Sequence, residues 1–260
     1  MDSGAATILL RLTIEDLAHL VRTVQLKYHE RFIEGERKML KIEKTVLPSP
    51  EQWEIVIEGM RNPMNSWDKS DSFIYRELDD ATEFVLCKND SKLMMSLNKG
   101  GTEHSKYRRM LPVWVTINAP FYWWKEADTY TIGKVQNSCS TMHKIHSKPF
   151  TLDDFSCEHL VEPEDCTISS MELLRVIIGE LNYWREKYIS TKDKDCWWQM
   201  IQLLPTSYNQ KRTLFLNYEV LAKMYRERKN HKLDEWHTLC DWIKTLPYSE
   251  LITMEDEDVR

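Results

Sequence analysis

PTSYNQKRTLFLNYEVLAKMYRERKNH, residues 205–231, is the stretch on which the reading of this chain turns. Taken as helix over 211–229, it sets Asn217 and Arg228 eleven residues apart. That is almost three whole turns, so both share a face, about 16 Å apart at ~1.5 Å per residue. Leu221 and Met224 lie between them on that face. An Asn and an Arg at the two ends of an apolar stripe suit a long ligand with polar ends. Equally, the stripe is core and the two polar residues are its margins. Spacing alone leaves both readings open.

Working outward, 234–245 predicts a further helix capped by Asp234. Upstream, the chain turns helical from Thr167, with Leu173, Ile177, Leu181, Trp184 and Tyr188 on one stripe. Residues 6–12, ATILLRL, read as a buried strand, and Thr13-Ile14-Glu15-Asp16 starts a helix to about Lys27. An extended segment over 37–47 precedes Ser49-Pro50-Glu51-Gln52, which combines an N-cap hydroxyl, a proline at the first position and a Gln to close the box. That helix runs to Arg61 and is followed by the loop NPMNSWDKSDS. TEFVLC (82–87) and PVWVTIN (112–118) alternate as strands. Between them SKLMMSLNKGG reads as a helix closed by Gly100-Gly101, and FYWWKEADTY as a short helix. The expectation is an α+β fold: a single domain over 1–250, with a mixed β-sheet flanked by helices, a helical C-terminal half and an acidic tail over 251–260.

Composition narrows the function classes. The chain has 260 residues, 42% hydrophobic, with ten tryptophans, enough for a sizeable core. Seven glycines and nine prolines exclude a low-complexity protein. A net charge of −6 with no basic block argues against nonspecific nucleic-acid or membrane-surface binding. No apolar run reaches the ~18–20 residues of a membrane span, and the opening residues lack a signal-peptide pattern. Six scattered cysteines without a CxxC pair predict reduced thiols and a cytoplasmic protein.

Chemistry-bearing residues are sparse. His143 and His146, three apart, would need His159 or a carboxylate to hold a metal, and no metal site is expected. Cys139 in NSCS has no basic partner in sequence and reads as a plain thiol. Tyr122-Trp123-Trp124 and Trp197-Trp198 offer stacking faces but read first as core or interface. No Ser-His-Asp order, Walker loop or GxGxxG is present. The oddest segment is DTYTIGKVQNSCSTMHKIH, 128–146, polar and following the tryptophan-rich FYWWKEA. It is either a surface loop or backbone and hydroxyls arranged around a polar ligand, with Gly133 allowing close approach.

Several pieces, in order, resemble the flavin-dependent thymidylate synthases. LLPTSYNQKRTLFLNYEVLAKMYRERKNHKLDEW is similar to that family's C-terminal block, with Pro205, Tyr208, Asn217 and Arg228 at or near the expected spacing. GTEHSKYRR resembles its Gly-His-Glu-Ser segment, PVWVTINAPFYWWKEADTYTIGKVQNSCS its strand, helix and signature, and EGMRNPMNSWDKSD its early Ala-Arg-x-Ser-x-Ser region. The likeness spans about 50–245. It implies a homotetramer with a mixed sheet and flanking helices. It also implies reductive methylation of dUMP by a methyltransferase using FAD, with methylenetetrahydrofolate and NADPH as co-substrates. By this resemblance Asn217, Thr102, His104, Asn137 and Lys223 face the flavin; Ser138, Ser140, Lys134 and Arg228 face the nucleotide. Arg228 is the catalytic group, since a fixed, planar cation best stabilises charge building on a ring carbonyl.

The signature departs from the family at its charges. Asn137-Ser138-Cys139-Ser140-Thr141-Met142 keeps the Asn and second Ser, with Ser138 for the Glu and Met142 for the last Arg. Ile201 and Glu219 stand where arginines are expected, Thr102 stands for the His, and the Arg-His-Arg is absent. Each lost phosphate contact is worth roughly 1.5–3 kcal/mol. Lys125, Lys134, Lys211 and Arg212 are the available substitutes. Three readings follow: a working synthase with a rearranged phosphate clamp, a related enzyme with another pyrimidine substrate, or a non-catalytic oligomeric scaffold without flavin.

Overall fold

The computed structural model describes residues 39–76, 82–163 and 167–254. The strand and helix expected within 6–27 lie outside the described residues. Chain order begins with β1 (Lys41–Val46), α1 (Pro50–Arg61), β2 (Phe73–Arg76), β3 (Thr82–Val85) and α2 (Lys88–Lys99). It continues through β4 (Pro112–Pro120), α3 (Phe121–Ala127), β5 (Val135–Ser138) and α4 (Thr141–Lys144). Then come α5 (Ser170–Thr191), α6 (Lys194–Leu203), β6 (Asn209–Asn217), α7 (Tyr218–Arg228), α8 (Asp234–Lys244) and α9 (Glu250–Thr253).

The α+β class holds. A four-stranded sheet in the order β1-β4-β6-β5 carries helices on one face, and β2 pairs with β3 in a separate ribbon. Every pairing among the described residues is antiparallel, so the sheet is not the mixed one expected.

The decisive stretch is corrected too. Residues 205–231 are not one helix from 211: they are strand β6, then helix α7. Gln210, Arg212, Leu214 and Leu216 are buried while Lys211 and Thr213 are exposed, which is the period-2 pattern of a strand. What fixes it is a partner distant in sequence. β4 pairs with β6 over nine residues, from Pro112↔Asn217 to Pro120↔Asn209, and a local window cannot see that ladder. At the junction Asn217 is extended and its side chain accepts from Val220 N, starting α7 as its N-cap. The helical C-terminal half is therefore interrupted by a central strand.

Other starts match their sequence signals. α1 has the full capping box between Ser49 and Gln52 and ends at Arg61. α2 closes at Gly100, followed by Gly101 with φ +85°. Two details differ. The N-cap of α8 is Leu233, with Asp234 the first helical residue, where its charge still faces the helix N-terminus. On α5 the expected stripe holds at Leu181, which is buried, and at Ile177, Trp184 and Tyr188, which pack on the second cluster, but its first member is replaced: Leu174 is buried and Leu173 is 51% exposed.

One apolar cluster gathers the inner sheet residues Val113, Val115, Ile117, Leu214 and Leu216 with Trp53, Trp123, Trp124, Leu221, Met224 and Trp236. Leu251 and Ile252 belong to it as well, so residues expected in the acidic tail are core. A second cluster holds α5 and α6 against Ile145, Phe150 and Phe155. The other sheet face stays open, where Trp114 meets Phe215 at 5.2 Å and the Thr116 and Thr213 hydroxyls bond at 2.9 Å. One buried ion pair locks the loop after α1 onto α2. Asp90 takes Arg61 Nε at 2.6 Å, the N–H groups of Asp71 and Ser72 and the Ser70 hydroxyl.

Candidate functional site

Strand β6 delivers Asn217 to the start of α7 and the helix carries Arg228 to its end. The eleven-residue spacing read from sequence survives, now as the two ends of one helix. Between them Leu221 and Met224 are buried core, as the structural reading of the stripe has it. Across from this helix runs the segment from Glu126 to Lys134, which leaves α3 and leads into edge strand β5.

Arg228 is held by that segment through Nε and Nη1, and its Nη2 makes no hydrogen bond among the described residues. Its Nε donates to the Tyr130 hydroxyl at 3.0 Å and its Nη1 to Glu126 Oε2 at 3.1 Å. Its guanidinium carbon stands 4.8 Å from the Trp236 ring and 5.6 Å from Tyr130, a placement that holds a planar cation between π-faces. The Tyr130 hydroxyl in turn donates to Glu227 Oε2 at 2.8 Å, and burial pushes its phenol up to about 12. The same Glu126 oxygen accepts from Trp236 Nε1 at 3.1 Å and meets His231 Nε2 at 3.2 Å. His231 Nδ1 accepts the Leu233 N–H, so the imidazole proton faces Glu126. Lys223 Nζ lies 5.7 Å from the Tyr130 ring, on the same cluster.

At the other end, Asn217 is 7% exposed. Its Oδ1 serves Val220, and among the described residues no hydrogen bond uses its Nδ2. Gly133, at φ +74°, crosses directly over it. A Cβ there would sit 3.2 Å from Asn217 Nδ2 and 2.9 Å from Val220 Cγ2. The close approach expected of Gly133 is thus to the helix start, where the missing side chain keeps a donor uncovered.

The proposed replacement cations do not converge as a phosphate grip. Arg212 is buried and donates to Gln210, Gln136 and Asp128, with its guanidinium 4.3 Å from the Trp124 ring. Lys134 donates to Ala127 O at 2.7 Å and lies 3.4 Å from Asp128. Burial lowers the Lys134 ammonium, with Asp128 opposing that shift. Desolvation raises the Asp128 carboxyl, but Gln136, Arg212 and Lys134 outweigh it and hold the group below its usual value. Lys211 pairs with Glu43 on the open face.

The remaining expected residues are spread out. Asn137 and Ser138 are exposed on β5, opposite Thr213 and Arg212. Ser140 caps α4 by accepting from His143 N. Thr102 and His104 are exposed on the loop between α2 and β4, where Arg109 donates to Thr102 O. Among the described residues no hydrogen bond or ion pair joins those two to Asn217 or Arg228. Trp123 and Trp124 are core, not stacking faces. His146 packs on Tyr188, and among the described residues no group of three His, Cys, Asp or Glu is placed to hold a metal. Glu126, Tyr130, His231 and Trp236 were not singled out by sequence. An acid ending an aromatic helix, needing a partner once partly buried, is the one signal that points to them.

No family model matches the chain, and no curated protein does. Solved structures do. A thymidylate synthase X from Helicobacter pylori with FAD and dUMP superposes with a TM-score of 0.55 at 15% identity, covering 84% of this chain and 97% of that one. A flavin-dependent thymidylate synthase from Helicobacter pylori, complexed with FAD and dUMP, gives 0.52 at 14%, covering 84% and 99%. The chain therefore has the fold of the flavin-dependent thymidylate synthases. Neither identity reaches the level at which likeness carries more than fold.

Proposed function

We propose that this chain binds a flavin and a pyrimidine nucleotide and is a thymidylate synthase-like enzyme. Its reaction is the reductive methylation of dUMP, with methylenetetrahydrofolate as carbon donor and NADPH as reductant. The observation that carries this is the pair at the ends of α7: an uncovered amide donor at Asn217 and an aromatic-clamped guanidinium at Arg228. A Cβ at residue 133 would come within 3.2 Å of Asn217 Nδ2, so the glycine keeps that donor free of a covering side chain. When bound, FAD supplies the electron transfer that no side chain here can perform.

The protein's own part is positioning and charge. Asn217 Nδ2 donates to the cofactor edge, while Lys223 and the exposed amide of Asn137 offer further donors. Arg228 is held by Tyr130 and stacked on Trp236, so it meets a ring carbonyl without reorganising and stabilises the negative charge that builds there. Removing one such donor lowers turnover by about 10²–10³. Ser138 and Ser140 remain the hydroxyls nearest the nucleotide in this reading, and homotetrameric assembly belongs to the same proposal.

A second reading has its own observation. Glu126 neutralises Arg228 and Asp128 neutralises Arg212 and Lys134, as expected of a scaffold whose ligand anions have been replaced by its own carboxylates. Incubation with FAD, NADPH, methylenetetrahydrofolate and dUMP, with dTMP followed by mass spectrometry, separates the two. Product that falls at least a hundredfold in Arg228→Ala supports the synthase. No product from a protein that also fails to retain FAD supports the scaffold.

A further inference from the structure

We propose that Glu126 is a second base-reading group. Together with Arg228 it selects a pyrimidine that presents an N–H donor beside a ring acceptor. This rests on the nucleotide-binding reading above and deepens it. Glu126 Oε2 is turned inward, where Arg228 Nη1, Trp236 Nε1 and His231 Nε2 converge on it. Two hydrogen bonds to one oxygen, with the His231 imidazole 3.2 Å away, fix the carboxylate's orientation. The other oxygen, Oε1, has no hydrogen bond among the described residues, and the side chain is 35% exposed. An acceptor is therefore held beside the guanidinium of Arg228, whose Nη1 is bound to the inward oxygen at 3.1 Å and whose Nη2 makes no hydrogen bond among the described residues.

Whatever Arg228 binds through a carbonyl or ring nitrogen then has Glu126 Oε1 as its neighbour. A donor next to an acceptor complements two base edges: the imide of uracil, through N3–H and an adjacent C=O, and the amidine of cytosine, through the amino group and N3. A base with that N–H blocked leaves a carboxylate oxygen desolvated and unpaired, which is heavily penalised. No proton transfer or bond change is involved; Glu126 acts by recognition alone.

The isosteric Glu126→Gln variant tests this without opening a hole. The inward donors of Arg228 and Trp236 hold the amide oxygen, so the amide N–H₂ faces outward, turning the exposed acceptor into a donor. Binding of dUMP, dCMP and N3-methyl-dUMP to the FAD-loaded protein is measured by calorimetry for wild type and variant. The wild type is expected to bind N3-methyl-dUMP at least tenfold more weakly than whichever of dUMP and dCMP it prefers. In Glu126→Gln that gap shrinks to about threefold or less, through loss of the preferred nucleotide. The dUMP and dCMP arms identify which edge is read. Equal wild-type affinity for the N3-methyl analogue, or a gap unchanged in the variant, overturns the role of Glu126. A wild type that binds none of the three overturns the nucleotide-binding reading itself.

Discussion

Arg228 has its Nε on the Tyr130 hydroxyl and its Nη1 on Glu126, so substitution separates stability from function. Glu126 stays partly exposed and keeps Trp236 and His231. Arg228→Ala is accordingly expected to lower unfolding free energy by only about 1 kcal/mol, while turnover falls a hundredfold or more; denaturant midpoints and product assays on the same preparation check both. Arg228→Lys retains charge but loses the planar fork, and is expected to stay near the alanine variant in turnover. Asp90 belongs to stability instead. Burial alone would raise its carboxyl, but bonds from Ser72, Arg61 and Asp71 outweigh that and bring it down from 3.8 to about 2. With the folded value depressed, the stabilisation is fully present above about pH 4 and is lost as pH falls toward 2. It amounts to about 2 kcal/mol. Asp90→Asn should remove that acid-side slope in equilibrium unfolding measured from pH 5 to 2, and an unchanged slope would contradict the assignment.

Elements were legible where their signals are local. The Ser49-Pro50-Glu51-Gln52 start specifies α1 because each residue of the box acts within one turn, and Ser49→Ala should lower stability by about 1 kcal/mol in thermal or denaturant unfolding. The strand at 112–120 showed in its alternation. β6 did not, because Lys211, Arg212 and Thr213 carry no apolar period, and the inward Arg212 is tolerated only with Asp128, Gln136 and Trp124 around it. β5 is four exposed residues held by pairing alone, so its sequence resembles a loop. Gly133 ties the polar run to α7. Gly133→Ala faces both a positive φ and a 2.9 Å approach to Val220, and is expected to lose about 1–2 kcal/mol. It should also weaken FAD binding, because the new Cβ covers Asn217 Nδ2. Destabilisation without any change in FAD affinity would show that the close approach of Gly133 to Asn217 serves packing only.

For the molecule as a whole, the sequence carried the fold further than the site. Asn217 and Arg228 were visible because one helix joins them. Their surroundings, Glu126, Tyr130, His231 and Trp236, come from α3, the segment after it, the connection between α7 and α8, and α8, and only folding assembles them. The segment 128–146 answers to neither simple description: its first half packs on α7 through Tyr130 and Gly133, and its second half is an exposed edge strand and a capped turn. A scaffold with neutralised cations and a synthase with a rearranged clamp share this architecture and differ in one observable. That observable is the absorbance spectrum of the purified protein with FAD, before and after dUMP. The account predicts stoichiometric retention of flavin bands by the protein and a shift of those bands when dUMP is added, lost in Arg228→Ala. A protein that leaves added FAD free, with a spectrum indifferent to dUMP, would contradict it.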